Sequence, residues 1–494
     1  MRLDRCPVTP RRLPCEARTP MHTRITAAVL AAALTPLALT LTAPAAHAAP
    51  AAVPYDFNGD GRTDLAIGAP GATVAGQARA GAVSVVYGST SGPKSSTRTL
   101  LTQNTAGMPG AAEADDAFGS ALASADLNTD GYADLLIGTP GEDGSDSNDG
   151  TVTIVWGSVS GLSGARTLFS FFSTDYDRYG QALAAGDFDN DGDVDVAVGS
   201  TGPITLSLVD GPITRAGASN GGSGSRNDGW ATANGVTHLS AGDVTGDGHP
   251  RVVLHGRTTH DGAATTALAD MEIDNYNDWL QKLPAGFVSA VGDIDGDGHD
   301  DIAVGNDREA SADPGGALGG KVTVVYGGPE GPAPGRAPLA LTQDTAGVPG
   351  ASEKGDRFGS DVSLGDVNGD GYADLAIGTA GENGSAGAVT VLYGSASGLT
   401  TKGATSYTQN TAGVPGTSEN GDRFGERVTL TDHTGDRRAD LSVSAPGENA
   451  GDGAVWSLRS TTTGPTASGS TSFGPGTTGI STSGTPGYGT ALNS

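Results

Sequence analysis

The chain has 494 residues, a formal net charge of −28 and 79 glycines, a glycine content about twice the average. Hydrophobic residues make up 36% and aromatic residues 5%, so any core has to be built from small side chains. The 56 acidic against 28 basic residues argue against nucleic acid as a partner, because phosphate backbones require a cationic surface. Beyond residue 50 no apolar stretch reaches the roughly 18 residues of a transmembrane helix, so no membrane span is expected.

Residues 1–48 are predicted to be absent from the mature protein. From Met21 onward, an apolar run ending in the small-x-small site Ala46–Ala48 has the pattern of a secretory signal peptide. The twenty residues before Met21 are rich in Arg and Pro and do not fit that pattern, so we interpret them as a mis-started leader and Met21 as the true first residue. Residues 49–494 are then expected to be secreted. Both cysteines fall in the removed part, so the mature chain is expected to contain no disulfide.

A nine-residue acidic pattern recurs seven times and begins at residues 56, 126, 187, 243, 293, 366 and 432. The first copy reads DFNGDGRTD. Side chains at positions 1, 3 and 5 of such a loop can point to one centre. Glycine at position 6 permits the sharp turn, and a carboxylate at position 9 can close the shell. Oxygen ligands in this number are what Ca²⁺ prefers, so the pattern predicts calcium loops. The alternative is a set of Asp/Asn/Gly turns without metal.

Five copies carry the full set of oxygen ligands, which predicts about five Ca²⁺ ions. The predicted ligands are Asp56, Asn58, Asp60 and Asp64; Asp126, Asn128, Asp130 and Asp134; Asp187, Asp189, Asp191 and Asp195; Asp293, Asp295, Asp297 and Asp301; and Asp366, Asn368, Asp370 and Asp374. The copy at 243–251 has Arg251 at position 9, where its guanidinium would repel a cation. The copy at 432–440 has Arg437 in place of the glycine and Thr434 at position 3. Neither of these two is expected to hold Ca²⁺ tightly.

Short strands are predicted around every loop. An aliphatic run stopped by Gly or Pro follows it, such as DLAIGAP at 64–70, and a second run such as VTVLY at 389–393 comes later. An aromatic-Gly pair, such as Phe118-Gly119, precedes several loops. A unit of about 60 residues with four short strands is typical of a propeller blade.

This order resembles the FG-GAP repeat of the integrin α-subunit head, here of a secreted bacterial type. The resemblance covers nearly all of residues 54–494 and implies an all-β, seven-bladed β-propeller. It also implies calcium loops on one face and ligand contacts on the opposite face. Residues 487–494 repeat the aromatic-Gly strand that the first blade lacks, so we expect them to complete that blade and close the ring. The alternative is a frayed tail after a Gly/Ser/Thr-rich linker at 460–486.

A second repeated segment begins with Thr-Gln and contains a Pro-Gly turn, at residues 102–119, 342–359 and 408–425. We favour the interpretation that these segments join neighbouring blades. The alternative is a rim that contacts a ligand through its recurring acids Glu113, Glu353 and Glu419.

The favoured function is a secreted calcium-binding propeller that acts as a binding or adhesion module for an extracellular protein or glycan. No catalytic motif stands out, so catalysis is not favoured. The alternatives are an extracellular polysaccharide-active enzyme with its site in the central funnel, and a scaffold without a small-molecule site. An enzyme would require non-metal polar residues that converge at the channel mouth.

Overall fold

The computed structural model describes residues 52–144, 146–168, 177–202, 205–216, 219, 225–226, 234–271 and 280–493. The predicted leader and signal peptide (residues 1–48) lie outside the described residues. The described residues form seven antiparallel sheets of four strands each, which are the seven blades of a β-propeller. No helix in this part of the chain is both long and apolar enough to cross a membrane.

The first four blades follow one another along the chain. Their strands are β1 (Leu65–Ala69), β2 (Ala82–Val86) and β3 (Arg98–Leu101) in blade 1; β4 (Ala121–Ala125), β5 (Asp134–Thr139), β6 (Thr151–Val155) and β7 (Ala165–Thr167) in blade 2; β8 (Asp177–Gly186), β9 (Asp195–Thr201), β10 (Leu206–Val209) and β11 (Ser225–Arg226) in blade 3; and β12 (His238–Gly242), β13 (Arg251–Arg257), β14 (Ala264–Ala269) and β15 (Gln281–Lys282) in blade 4.

The last three blades add three single helical turns. The elements are β16 (Val288–Gly292), β17 (Asp301–Asn306), β18 (Lys321–Val325) and β19 (Leu339–Leu341) in blade 5; β20 (Phe358–Gly365), β21 (Asp374–Thr379), α1 (Glu382–Ser385), β22 (Ala388–Tyr393) and β23 (Thr400–Tyr407) in blade 6; and β24 (Val428–Thr431), β25 (Asp440–Ala445), α2 (Glu448–Gly451), β26 (Ala454–Leu458), the ribbon β27 (Ser460–Thr461) and β28 (Gly464–Pro465), β29 (Thr471–Phe473), α3 (Pro475–Thr478) and β30 (Ala491–Leu492) at the end of the chain.

The two ends of the described chain meet in blade 1. Strand β30 pairs antiparallel with β1, with Ile67 opposite Leu492 and Gly68 opposite Ala491. The predicted closure of the ring by the C-terminal strand is therefore confirmed. The segment 460–486 is more than a linker, because β29 is the outermost strand of blade 7 and pairs with β26.

Glycine is required where neighbouring blades touch. A Cβ on Gly138 of β5 would lie 2.0 Å from the carbonyl oxygen of Gly180 in the next blade. Phe118, which precedes the glycine of an aromatic-Gly pair, is fully buried and forms a parallel bridge with Gly81 of the preceding blade. The same bridge recurs between Gly387 and Phe424. The aromatic ring thus fills the space between two blades, and the glycines let their backbones approach.

Small aliphatic side chains build the core in successive clusters between adjacent sheets. One cluster packs Leu136 and Ile154 of blade 2 against Val196 and Val198 of blade 3. The middle strands β1, β5 and β21 are buried along their whole length. This explains why their sequences are continuous aliphatic runs rather than alternating patterns.

Candidate metal loops and the central channel

Each acidic loop is folded by the carboxylate at its first position. In the first loop Asp56 accepts hydrogen bonds from the backbone N–H groups of Asp60 (3.1 Å) and Gly61 (2.8 Å). In the third loop Asp187 does the same with Asp191 (3.1 Å) and Gly192 (3.0 Å). Both oxygens of one carboxylate therefore point into the loop and close its turn.

The aspartate at position 9 is buried at the base of the loop. Asp64 accepts hydrogen bonds from the N–H groups of Phe57 (3.2 Å) and Gly88 (2.8 Å), and Asp134 accepts the equivalent pair from Leu127 and Gly157. The same two-donor arrangement holds Asp195, Asp301 and Asp374.

Burial raises the pKa of these carboxyls. The pKa of Asp64 is raised to about 8, and the pKa values of Asp134, Asp195, Asp301 and Asp374 to about 7. Repulsion from neighbouring loop carboxylates adds to the effect of burial. An acid in such a place is stabilised as the anion by a bound cation.

The third and fifth loops bring three carboxylates together. Asp187, Asp189 and Asp195 have oxygens that all lie within 4.8 Å of one another, and so do Asp293, Asp295 and Asp297. These two groups do not include Asp191 or Asp301, which were also predicted as ligands.

The other three complete loops carry Asn at position 3. In the first loop the Asn58 side-chain oxygen accepts from the N–H of Asp60 at 2.9 Å. In the second, Asn128 donates to Asp134 at 3.1 Å, and in the sixth Asn368 donates to Asp370 at 2.9 Å. Carboxylate and side-chain amide oxygens fit Ca²⁺ rather than a transition metal. In these loops Asn58 presents its amide oxygen, whereas Asn128 and Asn368 donate through their amide nitrogens.

Two arginines form ion pairs with predicted metal ligands that lie far away along the chain. The sequence analysis did not identify either arginine. Arg215 donates to Asp130 at 2.8 Å and lies over the Trp156 ring, with its guanidinium carbon 5.4 Å from the ring centroid. Arg336 pairs with Asp295 and stacks on Tyr326. The distance along the chain between partners, 85 and 41 residues, leaves no local sequence signal for either pair.

The fourth loop carries its own cation. The Arg251 guanidinium forms a two-point contact with Asp247, with Nη1 2.8 Å from Oδ1 and Nη2 3.0 Å from Oδ2. The pair holds the pKa of the Asp247 carboxyl well below its usual range. The arginine that replaces the ninth-position acid therefore neutralises the acid at position 5 of the same loop.

The seventh loop keeps the turn without the glycine. Arg437 occupies the glycine position with φ of 68°, a conformation that side chains rarely adopt. Its N–H still donates to Asp432 at 2.6 Å. In this loop Arg438 pairs with Asp436. The same kind of pair occurs in two complete loops, between Arg62 and Asp60 and between Arg215 and Asp130, so this pairing does not distinguish the seventh loop from them.

Neighbouring loops are joined through their backbones. The carbonyl of Asp56 accepts from the N–H of Ala133, and the carbonyl of Asp366 accepts from Ala439 (2.7 Å), each in the loop of the next blade. The carbonyl of Asp432 accepts from Thr63 at 3.0 Å, which links blade 7 to blade 1. The loops thus belong to the contacts between blades, so an ion in one loop would also hold the joint to the next blade.

The Thr-Gln segments are blade-joining loops, as favoured from the sequence. Each is folded by its own side chains; for example, Asn104 accepts from the N–H of Ala112, eight residues on. Each also reaches the next blade through its glutamine, as Gln343 donates to Glu382 at 2.6 Å. The recurring acids of the alternative interpretation, Glu113, Glu353 and Glu419, are exposed.

A central cavity of about 600 Å³ is lined by the innermost strands of all seven blades. At one level of this channel, Arg427 lies 3.5 Å from Asp361, and burial raises the pKa of that carboxyl to about 6. His238 lines the same cavity, and burial together with the charges of His255 and Arg427 lowers its pKa well below 6.5.

Blade 4 contributes a buried hydrogen-bond chain beside the channel. His255 lies 2.8 Å through Nε2 from the Ser289 hydroxyl, which lies 2.6 Å from that of Ser240. Its Nδ1 lies 3.0 Å from the Gly286 carbonyl oxygen. His255 occupies the position where β5 has Gly138, so a polar link replaces the close backbone contact seen there.

Comparison with known proteins identifies the repeat. The FG-GAP repeat family model matches residues 48–86, 118–155, 285–325 and 358–392. Phosphatidylinositol-glycan-specific phospholipase D of Rattus norvegicus is 34% identical over 163 residues, which cover 33% of this chain and 19% of the relative. Integrin alpha-8 of Mus musculus is 32% identical over 175 residues, 33% of this chain and 15% of the relative.

The chain therefore matches less than a fifth of either relative's length. A crystal structure of an AofleA mutant from Arthrobotrys oligospora aligns with 69% of this chain and 83% of its own, at 10% identity and a TM-score of 0.37. This chain therefore contains FG-GAP repeats, and its described residues fold as a seven-bladed β-propeller.

Proposed function

We propose that this protein is a secreted, calcium-stabilised β-propeller that acts as a binding module for an extracellular protein or glycan. The observation that carries the proposal is the ring of acidic loops on one face, five of which have a complete oxygen set. Such loops concentrate several carboxylates within a few ångströms, as at Asp187, Asp189 and Asp195. Mutual repulsion at that distance is relieved by a divalent cation.

The role proposed for the ions is structural. The loops join successive blades through backbone hydrogen bonds, such as that from Ala373 to Asp293 (2.8 Å). The ligands proposed for each ion are the side chains at positions 1, 3, 5 and 9. When bound, Ca²⁺ supplies positive charge and fixes the loop, while the chain's own hydrogen bonds carry that rigidity to the next blade.

A binding role is supported by the lack of a catalytic motif in the sequence and by similarity to integrin alpha-8, over a third of the chain. With metal loops on one face, the opposite face is left for the partner. That face carries the Thr-Gln segments and their exposed acids. Secretion is proposed from the signal-like residues 21–48, which lie outside the described part of the chain.

The test is a ligand screen in two metal states. The purified protein is applied to a glycan array and to a panel of extracellular proteins, in Ca²⁺ and in EGTA, with bound calcium counted in parallel. We expect about five ions and at least one ligand retained only in Ca²⁺. Absence of bound calcium would overturn the metal assignment, and absence of any ligand would overturn the binding module.

A second candidate function is an extracellular enzyme with its site in the channel, and one observation favours it. Arg427, Asp361 and His238 are non-metal polar residues that converge on the central cavity. Polysaccharide cleavage by wild-type protein that is lost in Arg427→Ala, with an unchanged melting temperature, would support the enzyme over the binding module.

A further inference from the structure

The face opposite the acidic loops carries a row of arginines, although acidic residues outnumber basic ones by 56 to 28 in the whole chain. We call this row the arginine arc, and it consists of Arg257, Arg308, Arg357, Arg423 and Arg427. Strands β13 and β17 leave an acidic loop and run toward the first two of these residues. Strands β20 and β24 begin just after Arg357 and Arg427 and run toward an acidic loop. The arc therefore crosses blades 4 to 7 on the face away from the acidic loops.

Side-chain contacts join the arginines of blades 4, 5 and 6. The guanidinium carbons of Arg257 and Arg308 lie 4.5 Å and 5.4 Å from the centroid of the Phe287 ring. Asp307 then bridges two arginines, with its oxygens 3.2 Å from Arg308 and 2.8 Å from Arg357. These residues therefore form one continuous surface.

Glu426 extends this surface into blade 7. Its carboxylate accepts hydrogen bonds from Arg357 at 2.9 and 3.4 Å. Burial would raise the pKa of this acid, but the charges of Arg357, Arg423 and Arg427 lower it below its usual value. Arg427 also lines the central cavity, where it lies 3.5 Å from Asp361. The arc therefore ends at the mouth of the channel.

The arginines of the arc outnumber the acids that they contact. The five guanidinium groups face three carboxylates, those of Asp307, Asp361 and Glu426. Among the described residues, neither Arg257 nor Arg423 forms an ion pair, and half of the Arg308 side chain is exposed. Even when the adjacent Glu309 is included, positive charge is in excess. This surface is therefore cationic on a strongly acidic protein.

The backbone at two arc positions favours glycine rather than arginine. Arg357 and Arg423 precede aromatic-Gly pairs with φ of 62° and 61°, in the left-handed region. The equivalent position holds Ala117 in blade 2 and Gly487 in blade 1, with φ of 58° and 60°. The turn therefore forms without arginine, and a long cationic side chain at such a costly position indicates a use beyond the turn.

We propose that the arginine arc binds an acidic polysaccharide whose sugars carry regularly spaced carboxylates. Guanidinium groups bind carboxylates through two parallel hydrogen bonds. A row of them across four blades fits a linear chain with repeated charges better than one small anion. The inference rests on the proposed binding module, which left protein and glycan open, and names its ligand class.

The test measures the affinity for hyaluronan oligosaccharides by isothermal titration calorimetry in Ca²⁺, with dextran oligosaccharides as the neutral comparison. Arg308→Gln and Arg423→Gln together are expected to raise the Kd for hyaluronan by about tenfold or more, because two charge-assisted contacts are lost. The matched control combines Arg98→Gln and Arg166→Gln. These residues are exposed on the outermost strands β3 and β7, so the control removes the same charge away from the arc. The control is expected to bind as wild type does.

Equal weakening in both double variants would overturn the proposal, because total charge rather than the arc would then hold the polysaccharide. Binding of dextran as tight as that of hyaluronan would overturn it too. If the arc variant does not fold, Arg308→Gln alone is expected to weaken binding by about threefold or more.

The ligand screen separates this inference from the proposed function. Retention of a protein or a neutral glycan, without binding of hyaluronan, would reject the arc as a polysaccharide site and leave the binding module in place. Failure to retain any ligand would reject both.

Discussion

Strands β5 and β13 hold the same place in blades 2 and 4, yet they differ at both ends. Strand β5 begins with Asp134, the ninth residue of a complete acidic loop, whereas β13 begins with Arg251. Near its other end β5 has Gly138, where β13 has His255. In blade 4 a built-in cation replaces the carboxylate, and a polar side chain replaces a bare backbone contact. The charge balance of the loop and the contact with the next blade can therefore each differ between equivalent strands without loss of the fold.

The largest effect on stability is expected from the removal of calcium. Only the complete loops are proposed to depend on a bound cation. One ion at 100 times its Kd stabilises a protein by about 2.7 kcal/mol, so five ions would exceed about 10 kcal/mol. We expect EGTA to lower the melting temperature by on the order of 10 °C or more. Calorimetry in Ca²⁺ and in EGTA measures this shift. Coincident melting curves would mean that the loops are metal-free turns.

A smaller and more local effect is expected at the glycine contact of β5. Gly138→Ala would place a Cβ 2.0 Å from the Gly180 carbonyl oxygen, and neither backbone can move without separating the blades. The expected loss of unfolding free energy is at least about 3 kcal/mol. Gly476→Ala is the control, because no atom lies within 4 Å of its added Cβ, and a change within about 0.5 kcal/mol is expected. Denaturant unfolding compares both variants, and similar losses would remove the steric explanation.

The repeated parts of this fold could be predicted because they are local. The loop pattern, the aliphatic run behind it and the aromatic-Gly pair lie within one stretch of chain, and β5 and β22 lie within a residue or so of the predicted strands. The closing strand could be predicted because Tyr488 repeats a pattern seen elsewhere. By contrast, Arg215 on Asp130 and Ser289 on His255 join distant segments. These contacts depend on which blades are adjacent in the folded propeller, and that adjacency is not encoded in any local stretch of sequence.

His255 is expected to make the stability of blade 4 sensitive to acid. Burial lowers the pKa of His255 from 6.5 to about 4. Between pH 6.5 and pH 4 the imidazole is therefore protonated in the unfolded chain but stays neutral in the folded chain. The contribution of His255 to the free energy of unfolding is complete above pH 6.5 and falls by about 3 kcal/mol as the pH drops to 4. His255→Gln cannot titrate, so wild type is expected to lose stability relative to this variant over that range.

The measurement is denaturant unfolding of both proteins at several pH values between 7 and 4. His260→Gln, on an exposed turn of the same blade, is the control and is expected to run parallel to wild type. A constant difference between wild type and His255→Gln at every pH would show that the imidazole does not titrate in this interval.

The smallest expected effect is the loss of a single ion. It distinguishes the complete third loop from the fourth loop, in which Arg251 neutralises an acid of the same loop. Asp187 and Asp243 are the first-position acids of loops 3 and 4, and each accepts the same two backbone N–H bonds. Asp187→Asn is expected to lower the bound calcium by one ion and to remove about 2.7 kcal/mol of stability at 100 times the Kd. Asp243→Asn is expected to leave the ion count unchanged, because Arg251 already neutralises its loop. Equilibrium dialysis with calcium analysis measures both counts. Loss of an ion from the Asp243 variant would mean that the fourth loop binds calcium despite its arginine.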